Sequence, residues 1–261
     1  MGENTRFLYF ILEDNKFFKI EKRLSIQMSN YEIENDANVI KGLASIALEG
    51  ASKIVKDFES ETDFKVQFDL LPSADITVLL SKGNKVDFVF YPTKPIQKFT
   101  SDGILVADGF TPVVQSGIGI AVPMSSNLKA PKNAQELKEI LLAANTIIYA
   151  TGPSGDHMET VIDQLQIRSE IKNKIKIISG LVAKGIERGE GDIGFQQIPE
   201  ILLVPGAKLL SPLPPDVQLL TPFSLCVHAS SNKSHICKAL FHYLNDSKYR
   251  DLYSSCGFQM I

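Results

Sequence analysis

From Asn38 onward the chain alternates between two periodicities of apolar residues. N-V-I-K-G-L-A (Asn38–Ala44) reads as a strand, and Ser45–Glu59 places Ile46, Ala47, Gly50, Ala51, Ile54, Val55 and Phe58 on one helical face. F-K-V-Q-F-D-L-L (Phe64–Leu71) alternates as a strand, and Ser73–Lys82 reads as a short helix opened by a Pro-Ser turn. V-D-F-V-F-Y (Val86–Tyr91), G-I-G-I-A-V-P (Gly117–Pro123) and T-I-I-Y-A (Thr146–Ala150) are strand patterns, with a helix over Ala134–Ala144. Next come a helix after Pro153, a strand K-I-K-I-I (Lys174–Ile178), a helix through Ala183–Arg188 and a strand D-I-G-F-Q-Q-I (Asp192–Ile198). F-S-L-C-V-H-A (Phe223–Ala229) is a late strand before C-terminal helices over His235–Tyr253. Strands alternating with helices at this spacing predict an α/β fold with mostly parallel sheets flanked by helices.

Three places repeat one local design, a strand followed by a small polar residue and then a helix. They are G-L-A-S at Ser45, L-L-P-S-A-D at Ser73 and T-G-P-S-G-D-H at Ser154. Open α/β sheets bind ligands at the carboxyl ends of their strands, where such turns gather. A helix start offers unpaired N–H groups and partial positive charge, a good host for a carboxylate or oxyanion. Each serine can equally serve as the N-cap of its own helix. The third turn also carries Gly155, Asp156 and His157. His157 is the one histidine of four in a candidate site, and an imidazole can serve as general acid or base. His228 sits mid-strand, and His235 and His242 fall on the C-terminal helices, where structural or solvated roles are expected. Gln196 and Gln197 close an apolar strand, one toward the core and the other toward a cleft, and Glu200 reads as a first-turn helix charge.

Composition narrows the partners. Of 261 residues, 44% are hydrophobic and 22% charged, as in soluble globular proteins, and the length allows one large domain or two lobes. The net charge of −3, without a block of like charges, points away from nucleic acid and from anionic membranes. An anionic ligand must therefore be held by local donors. The three cysteines, Cys226, Cys237 and Cys256, match no metal spacing and read as reduced thiols. No metal and no cofactor is expected, and protein partners are not indicated.

The N-terminal residues 1–35 read as an extension, with Met28 an alternative start of the folded unit. F-L-Y-F-I-L (Phe7–Leu12) is cut short by Glu13, Asp14, Asn15 and Lys16, so it fails as a secretory leader. M-G-E-N-T-R lacks the Ser or Thr of the myristoylation pattern. No apolar run reaches the length of a membrane span, so no membrane insertion is expected, and the expected location is cytoplasmic.

G-L-A-S-I-A-L-E-G-A-S-K-I-V-K-D-F-E-S-E-T-D-F-K-V, then D-F-V-F-Y-P and S-G-I-G-I-A-V-P, resembles the molybdate-binding-protein-like branch of the type II periplasmic binding proteins. The stretch V-A-K-G-I-E-R-G-E-G-D-I-G-F-Q-Q-I-P-E-I-L-L-V-P-G-A-K-L-L-S-P-L-P-P-D-V-Q carries the most specific likeness. The resemblance covers residues 38–261 and implies a two-lobed fold with a small anion in the cleft. Lobe 1 would comprise residues 36–115 and 222–261, and lobe 2 residues 116–221. Crossing strands are expected near Gly117–Pro123 and Thr221–Ala229. Carried across, Ser45 and Ser73 match the first-lobe hydroxyl positions, and Ser154 with the backbone at Gly155 matches the second-lobe helix start. Gln197 falls where molybdate binders present an aromatic hydroxyl, a departure from that pattern.

Other chemistry is excluded by pattern. The chain has no G-x-S-x-G, P-loop or H-E-x-x-H motif. G-E-G-D-I-G (Gly189–Gly194) matches a dinucleotide fingerprint by letter but follows a helix and enters a strand, the reverse of what that motif requires. Two functions remain. One is binding of a small carboxylate or oxyanion. The other is isomerisation of a small polycarboxylate such as aconitate in the same cleft, since aconitate isomerase resembles these binders, with His157 or Asp156 moving the proton.

Overall fold

The computed structural model describes residues 9–13, 16–20, 37–106 and 111–261. The chain divides into two compact units, Met1–Ala37 and Asn38–Ile261. In the first, β1 (Tyr9–Glu13) and β2 (Lys16–Ile20) pair antiparallel with Tyr9 opposite Ile20. The rest of the expected extension lies outside the described residues.

The second unit follows the expected alternation. β3 (Val39–Ser45) leads through a tight 3-10 turn, Ile46–Ala51, into α1 (Lys53–Glu61). The helix expected over Ser45–Glu59 is thus split, because Ser52 N–H bonds the Glu49 carbonyl in the i→i−3 pattern before α1 begins. α1 buries Ile54, Val55 and Phe58 as its spacing requires. β4 (Lys65–Leu71), α2 (Ser73–Ser81) and β5 (Phe88–Pro92) follow, and then α3 (Thr93–Ser101), which the apolar spacing did not reveal. The long β6 (Thr111–Pro123), α4 (Ala134–Ala143), β7 (Ile147–Ala150), α5 (Pro153–Gln164) and the single turn α6 (Arg168–Ile171) come next. They are followed by β8 (Ile175–Ile178), α7 (Val182–Glu187), β9 (Ile193–Gln197) and α8 (Ile198–Leu202). β10 (Ala207–Pro212), β11 (Leu220–Val227), α9 (Ser234–Leu244), α10 (Arg250–Ser255) and β12 (Gln259–Met260) complete the chain.

Eight strands hydrogen-bond in the order β4-β3-β5-β11-β6-β9-β7-β8, with β10 and β12 also on β6. Parallel pairing holds at each end, β4-β3-β5 and β9-β7-β8, while β5-β11, β11-β6 and β6-β9 are antiparallel. Two antiparallel steps give β6 the direction of β5, and a third reverses β9. The two parallel groups therefore run toward each other. Phe223 pairs with both Pro92 at the end of β5 and Val114 of β6, while Gln197 at the end of β9 pairs with Ile118. The carboxyl ends of the two groups thus face one another across four residues of β6, about 14 Å at the strand rise.

The buried apolar clusters respect the same division. One pair draws only on residues up to Val114 and from Phe223 onward, including Phe58, Phe90, Tyr91 and Tyr253. The other pair lies within 118–217 and includes Ile118, Tyr149, Met158 and Phe195. Each such side chain taken from water contributes roughly 1.5–3 kcal/mol. Between them, where β11 leaves β6 at Gly117 and β10 joins it at Gly119, the side chain of Gln218 takes the place of a strand. Its Oε1 accepts from the Ile118 N–H at 2.8 Å, and its Nε2 donates to the Ile118 carbonyl at 2.9 Å. Cys226, Cys237 and Cys256 are free thiols, and burial pushes the Cys226 thiol up to about 11 and Cys237 up to about 12. Among the described residues no helix is long and apolar enough to cross a membrane.

The turn from β7 into α5 brings the helix close to the strand. Gly152 has φ +114°, a conformation L side chains rarely adopt, and Pro153 then opens the helix with a fixed φ. A Cβ on Gly155 would lie 1.9 Å from the carbonyl oxygen of Ala150. Gly155→Ala is expected to lower stability by about 1–3 kcal/mol, the usual cost of overpacking, in urea unfolding. An alanine variant as stable as the wild type would show that the α5 start can retreat from β7.

Candidate functional site

A small inner cavity of ≈ 50 Å³ lies between the facing strand ends, with room for a few water-sized spheres. Its lining comes from the turns after four strands: Ser73 and Asp75 after β4, Thr151 and Ser154 after β7, Ser179 and Gly180 after β8, and Gln196, Gln197 and Glu200 around the end of β9. Pro72, Pro92 and Phe223 supply apolar wall. A wider outer cavity of ≈ 710 Å³ shares Ser73, Ala74, Pro92 and Pro153 with it, and adds Lys94, Lys98, Asp156, His157 and Thr160.

The three repeated serines part ways here. Ser45 caps the 3-10 turn that follows it, its Oγ accepting from the Ala47 N–H at 3.4 Å. It is buried and lies behind the cavity, with its Oγ 3.3 Å from that of Ser73. Ser73 and Ser154 are not caps. The N-cap of α2 is Pro72 and that of α5 is Gly152, and neither helix start has a side-chain cap. The Ser73 hydroxyl pairs with that of Ser45 and keeps its remaining capacity for whatever enters the cavity, and the Ser154 hydroxyl is not spent on its own helix. The amides of Ser154 and Gly155 precede the first helical bond of α5, Asp156 N–H to the Gly152 carbonyl. Gly155 itself does not line the cavity; its lack of a side chain brings α5 close to β7. Farther along α5, Glu159 accepts from the Tyr149 hydroxyl and from Arg168, which also pairs with Asp163.

Asp156 and His157 lie in the outer cavity and not in the inner one. The His157 Nε2–H donates to the Val217 carbonyl at 2.8 Å, which occupies one ring nitrogen in joining α5 to the segment before β11. One helical residue separates neighbours by about 100°, so Ser154 faces inward while Asp156 is exposed.

Gln196 and Gln197 both line the inner cavity, contrary to the expected division between core and cleft. β9 ends at Gln197 and turns at once into α8, so the strand's alternation no longer separates them. Gln196 Oε1 accepts from the Ala183 N–H at 3.3 Å, and Gln197 Nε2 donates to Thr221 Oγ1 at 3.0 Å. The buried Gln197 Oε1 has no partner.

Glu200 is the residue the sequence reading missed. It lines the inner cavity from the first turn of α8. Burial pushes its carboxyl up to about 7, while hydrogen bonds from the Gln196 side chain and the Gln197 backbone pull it the other way. The signal was available in Q-Q-I-P-E, a fourth strand end turning into a helix. Among the described residues lining the inner cavity none is Lys, Arg or His, and no cluster of described residues could hold a metal ion. The chemistry on offer is hydroxyls, amides and carboxyl groups.

A family profile for bacterial extracellular solute-binding proteins matches residues 48–259. The chain belongs to this family. Among solved structures, this solute-binding chain is similar to the periplasmic molybdate-binding protein of Azotobacter vinelandii, with a TM-score of 0.70 at 12% identity over 84% of this chain and 98% of that one. It is also similar to a sulfate-binding protein of Mycobacterium tuberculosis, with a TM-score of 0.68 at 15% identity over 86% and 87%. These likenesses show the two-lobed α/β periplasmic-binding-protein fold. A Pseudomonas sp aconitate isomerase is 24% identical over 199 residues, 74% of this chain and 76% of that protein. The family, one of bacterial extracellular solute-binding proteins, overturns the expected cytoplasmic location. That expectation rested on the lack of a leader pattern, which is weaker than the match of a whole domain.

Glu200 has a measurable consequence for stability. Its carboxyl is raised from 4.5 to about 7 in the folded protein. Across that interval the folded state binds more protons than the unfolded chain, so this group's contribution is present at low pH and lost as pH rises toward 7. Glu200→Gln is expected to flatten that decline in the melting temperature of the ligand-free protein. An unchanged pH profile would remove the assignment.

Proposed function

We propose that the chain binds a small carboxylate or oxyanion in the inner cavity, as a solute-binding protein whose lobes are residues 36–115 with 222–261 and residues 116–221. One observation carries this reading: Ser73 and Ser154, at uncapped helix starts on opposite sides of the β6 crossing, line the same small cavity. Two hydroxyls, free helix-start amides and the Gly180 turn give an anion neutral donors from both sides. Ser45 supports Ser73 from behind, and Gln197 stands at the rim of β9. Ligand held from both sides would draw the lobes together.

Replacing Ser73 or Ser154 by Ala is expected to weaken binding by about 1–3 kcal/mol, measured by calorimetry with the tightest anion from a thermal-shift screen. Ser45→Ala should affect stability more than affinity. Full affinity in both Ser73 and Ser154 variants would exclude the cavity as the site.

A second reading is favoured by the likeness to aconitate isomerase together with the carboxyl group of Glu200 in the cavity. It is a proton shift along a small polycarboxylate. Incubation with trans-aconitate, followed by chromatography for cis-aconitate and by deuterium uptake, tests it. Turnover is expected to survive His157→Gln and Asp156→Asn, because both side chains lie in the outer cavity. Neither isomerisation nor exchange by the wild type would end this reading.

A further inference from the structure

We propose that the ligand carries a hydroxyl or acid proton beside its negative charge, and that Glu200 selects it by accepting that proton in a hydrogen bond. The proposal rests on the anion reading and names its chemical class: a small hydroxycarboxylate or a hydrogen-bearing oxyanion, and not a fully deprotonated tetrahedral dianion such as molybdate or sulfate.

The argument begins with what the cavity lacks. A dianion among fixed groups needs donors on every side and no unprotonated carboxylate in contact. Here two carboxyl-bearing residues, Asp75 and Glu200, line the same ≈ 50 Å³ space, and no described lining residue is cationic. Burial raises the Glu200 carboxyl to about 7, and donors behind it, the Gln196 side chain and the Gln197 backbone, oppose that rise, so above pH 7 it stands in the cavity as an ionised acceptor. Beside it Gln197 has given its Nε2 to Thr221, and its buried Oε1 stands without a partner. An acceptor with no donor is costly to bury, so the bound state needs a donor brought by the ligand. The serine hydroxyls and helix-start amides across the cavity take the anionic end. The two sides together describe a ligand with a charge at one end and a hydrogen-bond donor at the other.

Other charges do not replace this role. α8 packs on β6, β9, β10, α7 and the 3-10 turn Ile46–Ala51. The ionisable groups those elements carry are Lys208 on β10, Lys184 and Glu187 on α7, and Glu49 on the turn, with Asp75 facing from the cavity side. Burial, Gln196 and Gln197 account for the behaviour of Glu200 without them.

Matched pairs of probes test the proposal by calorimetry on the full chain at pH 8. Malate against succinate differs by one hydroxyl, and hydrogen phosphate against sulfate differs by one proton at nearly equal size and charge. The wild type is expected to prefer the donor-bearing member of one pair by about 10- to 100-fold, and the preferred pair identifies the source. Glu200→Gln should reduce that preference to within about threefold and admit molybdate or sulfate. Glu200→Asp, which keeps the charge and shortens the reach, should retain part of the preference and guards against a folding defect in the glutamine variant. Equal affinity within both pairs, or tight binding of molybdate by the wild type at pH 8, overturns the proposal while leaving the anion site intact. No binding of any anion overturns the site itself.

Discussion

Parallel strands deliver their following turns at one edge of a sheet, and the antiparallel β11 and β6 set two such edges face to face. Nothing about the cavity survives without that pairing. Val114 and Ile118 of one strand fix the levels at which β5 and β9 end, so the turns after β4, β7, β8 and β9 converge on a common space. The separate apolar clusters on either side of that level give each group its own core, and α8 packs across on the turn Ile46–Ala51.

The convergence brings together groups that individually bind little. Hydroxyls and amides are neutral, and in water each would lose as much hydrogen bonding as it gained. Fixed on strand ends and helix starts they need no reorganisation when a ligand arrives, and partial burial strengthens their fields. The Gly152-Pro153 pair contributes geometry instead of chemistry, spending one residue on a left-handed turn and one on a fixed φ so that Ser154 arrives inward.

Local patterns made most of this legible. The period changes placed β3, β4, β7, β9, α2 and α5 to within a residue or two, because each has one buried face or edge. α3 escaped because T-K-P-I-Q-K-F-T-S carries a proline and few apolar positions, and its register is set by packing on β11. Ser45, Ser73 and Ser154 look alike in sequence, yet Ser45 is a cap and the others are not, since its own backbone is still extended whereas the helices of Ser73 and Ser154 have already begun after Pro72 and Gly152. His157 stands out by residue type, and Glu200 looks like an ordinary charge in a helix turn. Direction and burial, which decide their roles, come from tertiary contacts no local window contains.

Gln218 closes a gap in the crossing. On the edge of β6 between the partners β11 and β10, one flexible amide replaces the rigid rung of a neighbouring strand at Ile118. The Ile118 carbonyl also accepts from the Leu213 N–H at 2.9 Å, and on the other edge Ile118 pairs with Gln197 of β9. One side chain thereby carries the edge of β6 from β11 to β10 without leaving the Ile118 N–H unpaired, and the crossing stays hydrogen-bonded through the gap between two partner strands.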